Sequence, residues 1–320
     1  MSKESMLVTG AGGFIGGNAV RLMSDMGHEV TANVSPNTPD TRRRELAQYG
    51  QVVSMDLTTG DVFSLIDKQE LVLNFAGMDG NMRYKRDHSD EMLRVNMEVT
   101  NNILDAVSRS PLSPRVLLIS STDIYLPSDA PISESSPKIP ETNMNGYQLS
   151  KVRAERAPSL NNLQKVVIVR PGPIYGPGDV LGDLNKTRFI PQMVSNALTG
   201  RPLTLWGDGK QVRTFLYVDD FLMTCLNLLK AEYYLRPVNV ASSEHHTLYD
   251  VALLIKQIAG VDIDIVCVPD KDGGERTRTF DIGLLERVIG HANETAFVSG
   301  LRKTVEDIAN RKKGDVDAKQ

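Results

Sequence analysis

Residues 6–16 read MLVTGAGGFIG, and this stretch decides the fold. The apolar run at 6–9 has the length of a buried strand, and it leads through glycines into a helical pattern over 14–26. Glycines at a strand end let the backbone approach another group closely. The helix that follows offers unpaired N–H groups and a partial positive charge, so an anion such as a pyrophosphate fits there. A glycine cluster by itself is a weak signal, because turns collect glycine. Here the strand before it and the helix after it supply the required context.

The same alternation continues outward. Short apolar runs at 29–33, 51–55, 71–76, 115–120 and 165–170 are separated by helical stretches that include 41–49, 90–110 and 147–156. VLLIS and VVIVR are almost continuously apolar, as strands buried on both faces are. The pattern predicts an α/β fold with a doubly wound parallel sheet. From Gly172 the texture changes to the turn-dense PGPIYGPGD, a helix at 191–199 and the loop WGDGKQ, which points to a smaller α/β lobe. The expected division is a dinucleotide-binding Rossmann domain over 1–171, with 214–241 returning to it. A substrate-binding lobe would comprise 172–213 and 242–312, followed by a flexible tail at 313–320.

With 36 basic and 40 acidic residues mixed along 320, no basic face for nucleic acid is expected. No apolar run approaches the ~18 residues of a membrane span. MSKES leads directly into the first strand and leaves no room for an apolar signal core, so a cytoplasmic location is expected. Cys225 and Cys267 lie in apolar runs and read as reduced core residues. No metal set is expected.

Tyr147 and Lys151 are four residues apart on one helical face. A lysine so placed favours the phenolate and makes a tyrosine usable as a general acid/base. Upstream, SSTDIY at 120–125 ends a strand on the carboxyl edge, where open α/β sheets bind ligands.

Together these motifs resemble the extended short-chain dehydrogenase/reductases, in the branch of NAD-dependent epimerases and dehydratases that modify nucleotide-activated sugars. The matching pieces are TGAGGFIG, MDL (55–57), NFAG (74–77), RVN (94–96), SSTDIY, YQLSK, RPGPIYGPGD, LWGDGKQVRTFLYVDD (205–220) and GLRKT (300–304), covering nearly the whole chain. The resemblance implies Tyr147 as acid/base, Lys151 as its support and ribose contact, and Ser121 as the hydroxyl that holds the substrate oxygen. It implies cofactor contacts from Gly10, Gly13, Phe14, Ile15, Gly16, Ser35, Asp56, Leu57, Ala76, Gly77, Asn96 and Pro171. Arg213 would grip the nucleotide diphosphate, with Arg276 as a second contact and Arg278 as its alternative. Asp79 and Arg83, in the stretch after the fourth strand, are candidate sugar contacts, and Trp206 either stacks on a base or packs. A homodimer through a four-helix bundle is also implied, with Pro158 shortening the second helix of each pair.

Three positions depart from the pattern. Val34 and Ser35 stand where many relatives carry an acid that rejects a 2′-phosphate, and Arg42, Arg43 and Arg44 follow. NAD is favoured by the reaction class, and NADP stays open. Pro173 replaces an asparagine that contacts the diphosphate. Asp123 stands where dehydratases and decarboxylases tend to carry an acid. The leading expectation is epimerisation of a nucleoside-diphosphate sugar through a 4-keto intermediate. Dehydration or decarboxylation using Asp123, net NADP-dependent reduction of a sugar or small ketone, and a non-catalytic dinucleotide sensor are the alternatives.

Overall fold

The structure is a computed structural model and describes residues 3–179, 181, 187–271, 273–290 and 294–317. The first half alternates strand and helix: β1 (Ser5–Thr9), α1 (Phe14–Asp25), β2 (Glu29–Val34), α2 (Asp40–Leu46), β3 (Gln51–Ser54), α3 (Val62–Ile66) and β4 (Leu71–Asn74). It continues with α4 (Met82–Asp87), α5 (Ser89–Arg109), β5 (Arg115–Ile119), α6 (Gly146–Leu160) and β6 (Val166–Pro171). After β7 (Ile174–Tyr175) come α7 (Phe189–Leu198), β8 (Leu203–Trp206), β9 (Val212–Thr214), β10 (Leu216–Tyr217), α8 (Val218–Lys230) and β11 (Pro237–Val240). The chain finishes through β12 (His245–Thr247), α9 (Leu248–Ala259), β13 (Ile265–Val268), β14 (Thr277–Arg278), α10 (Gly283–Ile289) and α11 (Phe297–Asp317).

Seven strands form one parallel sheet in the order β11-β6-β5-β4-β1-β2-β3. Successive side chains on a strand point to opposite faces, and the core divides accordingly. Met6 and Val8 of β1, with Val167 and Val169 of β6, pack against α1 and α8. Leu7, Val166 and Ile168 face α3 and α5. Both faces are covered, which is why these strands read as unbroken apolar runs. The strand order reverses between β1 and β4, so the loops leaving their carboxyl ends diverge and open a crevice there.

A separate core gathers Ile190, Val194, Leu203, Leu205, Val251, Ile255, Leu301 and Val305 around α7, α9 and α11. Three details differ from the sequence reading. Leu285 of α10 packs in the same core as α8 and β11, so this helix serves the large sheet. Helix α11 continues to Asp317 where a frayed tail is expected from 313, and residues 318–320 lie outside the described residues. Pro158 sits inside α6 without ending it, and the helix runs to Leu160.

Candidate active site

The loop after β1 is folded too tightly for side chains. Gly10 has φ +64°, and a Cβ there would lie 2.8 Å from the backbone of Phe75 and Ala76; one on Gly16 would lie 2.3 Å from the Gly10 carbonyl oxygen. Helix α1 begins at Phe14 with no side-chain cap on its amides. A glycine cradle beneath an uncapped helix N-terminus fits the pyrophosphate of a dinucleotide. Around it, Ser35 is exposed at the end of β2, and Ala76 and Gly77 follow β4. Pro171 ends β6, and its carbonyl accepts the Thr122 hydroxyl at 2.9 Å. Phe14 lies under the Arg188 guanidinium, 5.6 Å from its ring centroid.

Two expected cofactor residues make hydrogen bonds within the protein. Asp56 accepts both the N–H (2.9 Å) and the hydroxyl (2.7 Å) of Thr58, capping the turn after β3, while Leu57 beside it is buried in the core. Those Thr58 hydrogen bonds hold the exposed Asp56 carboxyl below its ordinary range. Asn96 is buried; it accepts the Met78 N–H at 2.6 Å and donates to the Met78 carbonyl at 3.1 Å and to Ser150. It clamps the loop after β4 onto α5 and α6, and both of its N–H donors are used in doing so.

Each residue that opens α6 has a local task. Asn145 and Gln148 form a reciprocal capping box, and the Gln148 side chain also donates to the Asp123 carbonyl at 2.8 Å. A Cβ on Gly146 would lie 1.8 Å from the Ser89 carbonyl oxygen, so glycine is what brings α6 against the start of α5. Tyr147 is thereby placed at the sheet edge, 7% exposed, with its hydroxyl facing Ser121. Lys151, one turn on, donates to the Ile119 carbonyl at 3.1 Å. Ser120 and Thr122 point elsewhere, to Glu155 and Pro171, which leaves Ser121 as the hydroxyl of SSTDIY beside Tyr147.

The site also holds charges that the sequence reading did not single out. Lys85 of α4 reaches inward, 2.7 Å from Asp123 and 3.1 Å from Asp79, with its ammonium 3.7 Å from the Tyr147 ring centroid. Arg188, at the start of α7, pairs with Asp79 (3.1 Å) and Asp179 (3.3 Å). Burial pushes the Tyr147 hydroxyl up, and Asp79 and Asp123 add to that, against the Lys85 charge and the nearby Ser121 hydroxyl. Burial raises the Asp79 carboxyl, but Lys85 and Arg188 outweigh it and bring the group down to about 2. Lys151 is lowered to about 8, chiefly by burial.

Arg83 is not part of this cluster. Its side chain is 80% exposed and pairs with Asp87, because the helical turn that aims Lys85 inward turns Arg83 to solvent. Arg276 likewise faces solvent and binds Asp208 at 2.8 Å. Arg278 is the one beside the site: it pairs with Glu275 and donates to the Thr122 carbonyl, and it lies opposite Arg213 in the β14–β9 register. Arg213 donates to the carbonyls of Val212 and Glu275. Trp206 is 57% exposed and lines a cavity of about 250 Å³ with Phe189, Leu205 and Leu248, so it is available for stacking. Among the described residues no cluster of potential metal ligands occurs, and no helix is long and apolar enough to cross a membrane.

A buried phenol flanked by two lysines, in the same sheet-edge crevice as a dinucleotide cradle, is an arrangement suited to proton transfer beside a bound hydride carrier, as in the extended short-chain dehydrogenase/reductases. A family model described as the NAD dependent epimerase/dehydratase family matches residues 6–241, and the chain belongs to this family of NAD-dependent enzymes. It is 32% identical over 299 residues to a dTDP-4-dehydro-6-deoxy-D-allose reductase of a Streptomyces species, covering 89% of this chain and 90% of the relative. It is 26% identical over 317 residues to a UDP-N-acetyl-alpha-D-glucosaminuronate decarboxylase of Bacillus cytotoxicus, covering 95% and 97%. In fold it is similar to a UDP-N-acetylglucosamine 4-epimerase of Methanobrevibacter ruminantium, with a TM-score of 0.86 at 21% identity over 97% of this chain and 100% of that one.

Proposed function

We propose that this chain reduces the 4-keto group of a nucleoside-diphosphate sugar. The observation that carries the reading is the buried Tyr147 hydroxyl at the carboxyl edge of the sheet, beside Ser121 and between Lys85 and Lys151, where burial raises it above the ordinary phenol range. A phenol in that state is a proton donor. Ser121 holds the carbonyl oxygen, Tyr147 protonates it as it becomes an alkoxide, and Lys151 steadies the phenolate left behind. The reduced dinucleotide supplies the hydride when bound. Arg213 and Arg278, side by side on paired strands, suit a diphosphate, and the Trp206 cavity suits a flat base. The 32% identity to reductases of a 4-dehydro-6-deoxy sugar supports the same direction of reaction.

Decarboxylation is disfavoured by the charge pattern. A uronate substrate brings its own carboxylate, yet Lys85 already faces Asp79 and Asp123, and Arg188 faces Asp79 and Asp179. Asp123, ion-paired to Lys85, is also poorly placed to act as a base for dehydration. Epimerisation, the leading expectation from the motifs, is the second reading, because the Ser121, Tyr147 and Lys151 set also serves oxidation of a 4-hydroxyl followed by return of the hydride. Incubation with a panel of nucleotide sugars, read by NMR and by reduced-cofactor absorbance, separates them. Reduction consumes one reduced dinucleotide per product. A saturated sugar nucleotide epimerised without net consumption would overturn it in favour of the second reading. Tyr147→Phe should lower turnover by about 10²–10⁴-fold in either case.

A homodimer through α5 and α6 accompanies this proposal, and light scattering at one chain mass would refute it.

A further inference from the structure

The stretch Asn81–Arg86 carries three cations, and the fold treats them differently. The Asn81 side chain caps α4 by accepting the Tyr84 N–H at 3.0 Å, which fixes the helix phase. Arg83 and Arg86 then stand 80% and 75% exposed, while the Lys85 side chain is only 9% exposed. Burying an ammonium is unfavourable unless several partners compensate. Lys85 has Asp123 at 2.7 Å and Asp79 at 3.1 Å, and it lies nearer the Tyr147 ring (3.7 Å to the centroid) than Lys151 does (5.4 Å). A methionine would fill the same volume without desolvating a charge, so packing alone does not account for a lysine here.

We propose that Lys85 is a positioning residue for the chemistry at Tyr147: a second fixed cation, anchored by Asp79 and Asp123, that holds the ring and stabilises the phenolate formed when Tyr147 gives up its proton. This rests on the reading of Tyr147 as the acid/base. The charged groups facing Tyr147 are Lys85 from α4, Asp79 from the loop after β4, Asp123 after β5, Lys151 on α6 itself and Arg188 at the start of α7. Two of the three cations, Lys85 and Arg188, are held by carboxylates. Lys151 is held by a neutral carbonyl. Lys85 therefore supplies a charge whose position does not depend on Lys151 staying protonated, and its own repulsion helps Lys151 lose its proton.

The test is the titration of Tyr147 itself in the NAD-bound protein, by carbon-13 NMR of labelled tyrosine, with the resonance assigned from Tyr147→Phe. Lys85→Met should move the midpoint up by about one to three pH units, and Lys85→Arg should return it toward wild type. To avoid stranding Asp123, the double variant Asp123→Asn with Lys85→Met is compared with Asp123→Asn alone, and the double should again titrate higher. A midpoint that is the same with and without the Lys85 charge, in both backgrounds, overturns the proposal and leaves Lys85 a packing residue. The measurement needs no sugar. A shifted midpoint in a protein that reduces no 4-keto sugar would sink the function proposed above while leaving this one standing.

Discussion

Glu155 offers the sharpest quantitative test of how the site is held. Its carboxylate receives the Nε and Nη2 of Arg170, both at 2.7 Å, and the Ser120 hydroxyl at 2.5 Å. Arg170 also donates to the Tyr125 hydroxyl at 2.6 Å, which in turn donates to Asn239 at 2.8 Å. The side chains are 3% and 7% exposed. One network thus ties the ends of β5, β6 and β11 to the helix that carries Tyr147 and Lys151. Glu155→Gln strands the Arg170 charge in the interior, a loss of about 3–5 kcal/mol for a buried pair. Against a total stability of roughly 5–15 kcal/mol, that is a large fraction. Equilibrium urea denaturation, followed by circular dichroism and by hydrogen exchange of β6 amides, should show it as a lower midpoint with little change in slope. Glu155→Leu combined with Arg170→Met, which removes both charges, should recover most of the loss. A Glu155→Gln cost below about 1 kcal/mol, the scale of a surface pair, would refute the claim that this network anchors α6.

Other outcomes follow from the same geometry. Lys151 is depressed from 10.5 to about 8, so between those values the unfolded chain holds a proton that the folded chain has lost. Stability of the NAD-free protein should therefore rise with pH across that window, by at most about 3 kcal/mol, and denaturation of Lys151→Met should lack the rise; equal slopes would contradict it. Gly16→Ala places a Cβ 2.3 Å from the Gly10 carbonyl oxygen, and because that atom is backbone, relief requires the cradle itself to shift. A cost of about 1–3 kcal/mol and a matching loss of NAD affinity by calorimetry are expected, and unimpaired binding would count against the cradle. Arg42 reaches the Gly13 carbonyl at 3.4 Å, and Ser35 offers no carboxylate to repel a 2′-phosphate. NADP should consequently bind at least as well as NAD, and Arg42→Ala should weaken NADP alone by about ten- to a hundredfold; a strong NAD preference in the wild type would end that line.

The sequence by itself determined the fold class and pointed to a candidate reaction centre. Alternating apolar runs and helical periods report which faces are buried, and the glycine loop, the Tyr147–Lys151 spacing and the strand-end hydroxyls are local patterns that survive without a fold. What the sequence did not decide were choices between neighbours. Arg278 rather than Arg276 stands beside the site because strand pairing sets it opposite Arg213, and a step of two residues would have kept the same face had β14 been longer. Asn96 clamps Met78 and Ser150 because α5 passes behind the loop after β4. Lys85 was unreadable in a basic segment whose other cations are solvated, since its partners are Asp79 nearby and Asp123 on another strand's end. Local spacing fixes the direction of a side chain only relative to its own helix or strand. What that direction meets depends on which distant element the sheet brings alongside, and for the charges around Tyr147 only the tertiary structure supplied that.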